Sequence, residues 1–87
     1  MALVVVYTKN YCSFCHWTKS LLKSKGVEFE EIDITEDLVL QEEVRMRSGQ
    51  RTVPQTFIDG QSVGGFEELR RLDASGELDR RLGLATR

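Results

Sequence analysis

The sequence predicts an α/β fold, a four-stranded mixed sheet flanked by helices in the order β-α-β-α-β-β-α. Three observations carry that expectation. A valine-rich apolar run, Leu3 to Tyr7, is followed after a short polar loop by a helical pattern. Strand-like and helix-like segments then alternate, as in α/β folds with a crossover between parallel strands. Asp59-Gly60 lies between two short β-prone runs, the strongest local signal for a tight hairpin.

The elements follow in order. Leu3 to Tyr7 is continuously apolar, as a strand covered on both faces should be. Thr8, Lys9, Asn10 and Tyr11 form the connecting loop. A helix is expected from about Ser13 to Lys25, with Phe14, Trp17, Leu21 and Leu22 on one side and Gly26 as its stop. Val27 to Ile34 alternates imperfectly as a strand. Thr35 is placed to cap a second helix over Glu36 to Ser48, with acidic residues in its first turn, Leu40 and Val44 inward and Gly49 at its end. Val53-Pro54 opens a strand over Gln55 to Ile58, and Gln61 to Val63 returns antiparallel. Gly64-Gly65 leads into a helix from Phe66 to about Leu72, and Ser75 can cap a last helix holding Leu78 and Leu82.

Composition narrows the class. Eighty-seven residues suit one domain, spanning residues 1–87. A hydrophobic fraction of 40% favours a folded core over a disordered chain. A formal net charge of -2 argues against electrostatic nucleic-acid binding by the whole chain. No apolar stretch approaches the ~20 residues of a membrane span, so no membrane role is expected. The start, Met1-Ala2-Leu3-Val4, lacks a basic leader region and points to the cytoplasm.

The chemistry centres on Cys12-Ser13-Phe14-Cys15, which holds both cysteines of the chain. Two close cysteines are too few for a secreted disulfide scaffold, and in a reducing compartment such a pair is more often catalytic or metal-binding. At a helix start, free N–H groups and the positive end of the helix dipole favour a thiolate, the reactive form of cysteine. The spacing of three sets Cys15 one turn deeper than Cys12. Other readings are weaker. Cys12 to His16 matches a c-type haem attachment motif, but an ordered core around the pair and the absence of an export signal oppose it. Two Cys and one His fall short of a zinc ligand set, and no metal site is expected.

Three islands line up in one order: Lys9-Asn10-Tyr11-Cys12-Ser13-Phe14-Cys15, Thr52-Val53-Pro54 and Gly64-Gly65-Phe66-Glu67. Ser48-Gly49 and Leu72-Asp73-Ala74 extend the match over nearly the whole chain. Together they resemble a glutaredoxin of the small bacterial dithiol kind. The resemblance implies a thioredoxin-like fold and glutathione-dependent reduction of protein disulfides and of glutathione–protein mixed disulfides. Cys12 would be the nucleophile and Cys15 the resolving thiol. Pro54 would follow a cis bond, a geometry essentially confined to X-Pro, exposing the backbone of Val53 beside Cys12.

Glutathione would be held by Lys9, Phe14, Thr52, Val53, Pro54, Gly65, Phe66 and Glu67, with Gln41 and Arg51 as further polar positions. The backbone amides starting the Phe66 helix suit a carboxylate. Partners implied are glutathione, disulfide-containing or glutathionylated proteins and, indirectly, glutathione reductase with NADPH. The chain departs from the family between the cysteines, where Ser13 and Phe14 replace the usual Pro and Tyr. Proline preorganises a first helical turn, so Ser13 loosens it. Some relatives with Ser there bridge a 2Fe–2S cluster between two subunits, with glutathione completing the ligands. The alternative to a monomeric enzyme is therefore a dimeric 2Fe–2S carrier using Cys12.

Overall fold

A computed structural model of the chain describes residues 2–84. Its elements are β1 (Val4–Thr8), α1 (Ser13–Ser24), β2 (Glu30–Asp33), α2 (Leu38–Ser48), β3 (Gln55–Ile58), β4 (Gln61–Gly64), α3 (Phe66–Ser75) and α4 (Glu77–Arg81). The sheet order is β2-β1-β3-β4, with β1 and β2 parallel and the other neighbours antiparallel. This is the expected mixed sheet flanked by helices. β1 has a partner on each edge, which is why its sequence is apolar on both faces.

Alternation along β1 divides the core into two layers. Val4 and Val6 pack with Leu22, Ile58, Val63, Leu69, Leu78 and Leu82 under α1, α3 and α4. On the other face Tyr7 packs with Ile34, Val44 and Phe57 under α2. Tyr7 meets Phe57 edge to face at 5.5 Å between centroids, and the Arg47 guanidinium lies 4.3 Å over the Phe57 ring. Burying each large aliphatic side chain contributes roughly 1.5–3 kcal/mol.

Local chemistry sets the ends of the helices. At the end of α1, Val27 donates to the Leu22 carbonyl at 3.2 Å and Gly26 to Lys23 at 2.9 Å. This double closure needs the left-handed φ of +70° at Gly26. It also takes the Val27 amide away from any strand, and β2 begins only at Glu30, shorter than the expected Val27–Ile34.

Thr35 does not cap α2. Asp37 does, its Oδ1 accepting from the Leu40 N–H at 3.0 Å, and Glu36 and Asp37 precede the helix instead of filling its first turn. Thr35 bonds Asp33 and accepts from the Asn10 N–H at 2.9 Å, tying the end of β2 to the loop before α1. At Asp59-Gly60 both residues have positive φ, +52° and +82°, as a tight primed hairpin turn requires.

The C-terminal helical stretch also differs from the expectation. α3 runs to Ser75 and stops at Gly76, whose φ of +83° separates it from α4. Ser75 is thus the last residue of one helix and Gly76 takes the N-cap position of the next, while the Ser75 hydroxyl still accepts from the Glu77 N–H at 3.3 Å. Lys25 joins α1 to both helices, with Nζ 2.5 Å from Asp73 and 2.8 Å from Asp79.

Candidate active site

β1 delivers the chain to one end of the sheet, and after four intervening residues α1 begins. Cys12 is its N-cap, with extended backbone at φ -116° and ψ 111°. Its sulfur takes the place of the usual capping oxygen and accepts from the Cys15 N–H at 3.1 Å. The Cys12 thiol also donates to the Val53 carbonyl at 3.5 Å. Val53-Pro54 is a cis peptide bond. The first and second islands of the sequence thus meet at one sulfur.

The two thiols differ in environment. Cys12 is partly exposed, whereas Cys15 is 2% exposed on the inner stripe of α1 with Thr18 and Leu22. Burial, followed by the hydrogen bond with Cys12, pushes the Cys15 thiol up to about 12. The Lys9 backbone amide and the Lys19 charge act in the opposite direction. Lys19 is itself held by Glu31 at 3.0 Å, and Glu31 accepts from the buried Thr8 hydroxyl at 2.8 Å.

Beside the sulfur opens a cleft of about 280 Å³, lined by Phe14, Gln50, Thr52, Val53, Pro54, Gly65, Phe66, Glu67 and Glu68. Seven of the residues expected to hold glutathione are therefore brought together. Lys9, Gln41 and Arg51 stay outside the lining. Gln41 is engaged elsewhere: its Nε2 donates to the carbonyls of Ile34 at 2.8 Å and Thr35 at 3.3 Å, fastening α2 to the end of β2. Glu67 is turned to Arg70 at 3.0 Å, and that guanidinium holds its carboxyl below the usual range. What α3 offers the cleft is its backbone.

Gly65 donates to Glu68 Oε1 at 2.7 Å, the glutamate half of a capping box, since glycine has no side chain to return a bond. The following first-turn amides have no acceptor within a helix, which makes that end suited to an anion.

Gln50, Gln55 and Glu68 are additions to the expected set. Gln55 is completely buried, and its Nε2 donates to Gln50 Oε1 at 2.8 Å and to the Thr52 carbonyl at 3.0 Å, fastening the loop that precedes Pro54. A glutamine in a fully buried strand was the available signal. Glu68 was legible as the third residue after Gly65 in a capping pattern.

Phe14 and Trp17, expected on one side of the helix with Leu21 and Leu22, do not point into the core. Each is 49% exposed. They sit on the stripe next to the buried one and pack edge to face at 5.1 Å. Phe66 completes the group at 6.0 Å from Phe14 and 5.8 Å from Trp17.

A larger depression of about 610 Å³ follows the outward face of α2 between Leu38 and Arg47 and contains none of the expected site residues. Among the described residues no group of three or more His, Cys, Asp or Glu could hold a metal ion.

Comparison with known proteins agrees with this geometry. The glutaredoxin family model matches residues 4–63. Glutaredoxin 3 of Escherichia coli K12 is 52% identical over 79 residues, covering 91% of this chain and 95% of the relative. The solution structure of a glutaredoxin from Brucella melitensis superposes with a TM-score of 0.85 at 41% identity, covering 99% of this chain and 96% of that one. A buckwheat glutaredoxin–glutathione complex superposes with a TM-score of 0.88 at 28% identity, covering 97% and 83%.

Proposed function

The chain belongs to the glutaredoxin family and is a thiol–disulfide oxidoreductase, and on that premise we propose that glutathione is its reductant. Its substrates, in this reading, are glutathione–protein mixed disulfides and protein disulfides. The observation that carries the proposal is the asymmetry of the pair. A partly exposed sulfur at a helix mouth, touching the Val53 carbonyl and bordering a tripeptide-sized cleft, stands before a buried thiol that keeps its proton.

The steps follow from that asymmetry. The Cys12 thiolate attacks the glutathione sulfur of a mixed disulfide. The S–S bond breaks, the protein leaves as a thiolate that takes up a proton, and Cys12 is left joined to glutathione. A second glutathione thiolate attacks the glutathione sulfur of that disulfide. Oxidised glutathione departs and the Cys12 thiolate is restored.

The Cys15 N–H hydrogen bond to Cys12 Sγ supports sulfur as a leaving group, because an amide donor stabilises the departing thiolate. The first-turn amides of α3 and the charge of Lys9 are assigned to glutathione carboxylates. With a protein disulfide, Cys12 attacks one sulfur and forms a mixed disulfide with the substrate. Cys15 then loses its proton and attacks Cys12, expelling the substrate's second thiolate. Two glutathiones reduce the resulting Cys12–Cys15 disulfide. In the same reading the protein works in a reducing compartment, the cytoplasm, where the pair returns to two thiols after each turnover.

The test is turnover of a glutathione mixed disulfide coupled to glutathione reductase and NADPH. Cys12→Ser is expected to abolish turnover, and Cys15→Ser to spare it while stopping reduction of protein disulfides. Loss of mixed-disulfide turnover in Cys15→Ser would reverse the roles. A wild type inactive with glutathione but active with another reductant would overturn the choice of reductant.

A further inference from the structure

Phe14, Trp17 and Phe66 form one continuous aromatic surface with centroids 5.1–6.0 Å apart. Phe14 and Phe66 line the cleft; Trp17 does not, and carries the surface beyond it along α1. Half of the Phe14 and Trp17 surface faces water although both rings sit on a helix with a well-filled inner stripe. The fold therefore gains little from their exposed faces, and an exposed apolar surface continuous with a binding cleft marks a place of contact. A tripeptide is accommodated by the cleft alone. A protein substrate brings in addition the residues that flank its reacting cysteine.

An extended segment can use the Val53 backbone beside Cys12 as a hydrogen-bonding partner. Alternate side chains of such a segment stand about 6.6 Å apart, comparable to the spacing of the three rings. Two charges near the rings in sequence are held by other residues, Glu67 by Arg70 at 3.0 Å and Lys19 by Glu31 at 3.0 Å, and the rings themselves offer an apolar contact.

We propose that Trp17, with Phe14 and Phe66, receives an aromatic or branched aliphatic side chain flanking the cysteine of a polypeptide substrate, and that Trp17 sets this preference. The inference rests on the oxidoreductase reading above. Trp17 is not part of the cleft lining, so its contribution is confined to substrates that reach past the cleft.

Two peptides test it, each joined to glutathione through a single cysteine and identical except that the flanking residues are Phe in one and Ser in the other. Wild type is expected to favour the Phe peptide about tenfold in kcat/KM, the scale of one buried aromatic contact. Trp17→Ala is expected to reduce the preference to about twofold, and Trp17→Phe to keep most of it. Turnover of glutathione joined to a small thiol without flanking residues should be unchanged in Trp17→Ala. Because Trp17 is the single tryptophan, its emission gives a second readout. In Cys15→Ser with Cys12 joined directly to the cysteine of each peptide, made from the peptides activated as pyridyl disulfides, the Phe peptide should move emission to shorter wavelength and the Ser peptide should not.

Equal kcat/KM for both peptides in wild type, or no difference in emission, would overturn the proposal. Loss of the small-thiol reaction in Trp17→Ala would also overturn it, by assigning Trp17 to the glutathione cleft. Failure of wild type with the small mixed disulfide would instead overturn the choice of glutathione.

Discussion

The most exacting prediction concerns Cys15 taken alone. In Cys12→Ser the hydrogen bond between the two thiols is gone, but burial, the largest influence on Cys15, remains. In wild type the rise from the ordinary 9.0 to about 12 lowers the thiolate fraction near neutral pH about 1000-fold, and Cys12→Ser, which loses both contributions of Cys12, keeps only the part due to burial. The more basic thiolate is intrinsically more nucleophilic, by about 20-fold for a Brønsted slope near 0.45 over the full rise. Ionisation therefore retards alkylation by at most about 50-fold, and the 2% exposure adds to it by limiting access.

Timed carboxamidomethylation at neutral pH, read by mass spectrometry, measures it against the same cysteine in the urea-unfolded chain. Alkylation of folded Cys15 within about fivefold of the unfolded rate would refute the argument that burial keeps its proton in place. The same shift has a stability signature of definite sign. Above pH 9 the unfolded chain releases the Cys15 proton while the native state retains it, so stability falls by about 1.4 kcal/mol per pH unit until about 12. Urea denaturation at several pH values should show that extra slope in wild type and not in Cys15→Ala.

Two substitutions outside the thiol pair probe the frame that holds it. Lys25→Met should cost about 1–3 kcal/mol in urea denaturation at neutral pH, since it leaves two carboxylates without their shared cation. Its neighbours raise the Lys25 pKa above the ordinary 10.5, so the lost stability is fully present below that value, falls as pH rises from it to the elevated one, and is gone beyond. An unchanged midpoint would mean the bridge between α1, α3 and α4 contributes nothing. Gly64→Ala should lower stability by at least about 1 kcal/mol, because φ is +90° and a Cβ would lie 2.8 Å from Glu68 Cβ. It should also weaken glutathione saturation, measured as KM, by displacing the Glu68 cap from Gly65.

Much of this protein is written in interactions that span four residues or fewer. The cysteine pair at a helix start, the Gly26 and Gly49 helix ends, the Asp59-Gly60 turn and the apolar run of a strand covered on both faces were all legible in the sequence. Each depends on backbone geometry that neighbouring residues impose on one another. Seven residues of the expected site, Phe14 and members of the second and third islands, line one cleft.

Tertiary structure decided the rest. Phe14 and Trp17 face outward because the sheet accepts the Cys15–Thr18–Leu22 stripe one step around the helix, and the ring that completes their surface comes from Phe66, about fifty residues away. Thr35 lost its capping role to Asp37 once Asn10 and Asp33 claimed its hydroxyl. Gln41 was drawn to the carbonyls at the end of β2, Glu67 to Arg70, and Gln55 to the loop before Pro54. A side chain's spacing tells where it can reach. What it bonds depends on which unsatisfied groups the fold brings within about 3 Å, and the chain acquires those neighbours only when its distant segments pack together.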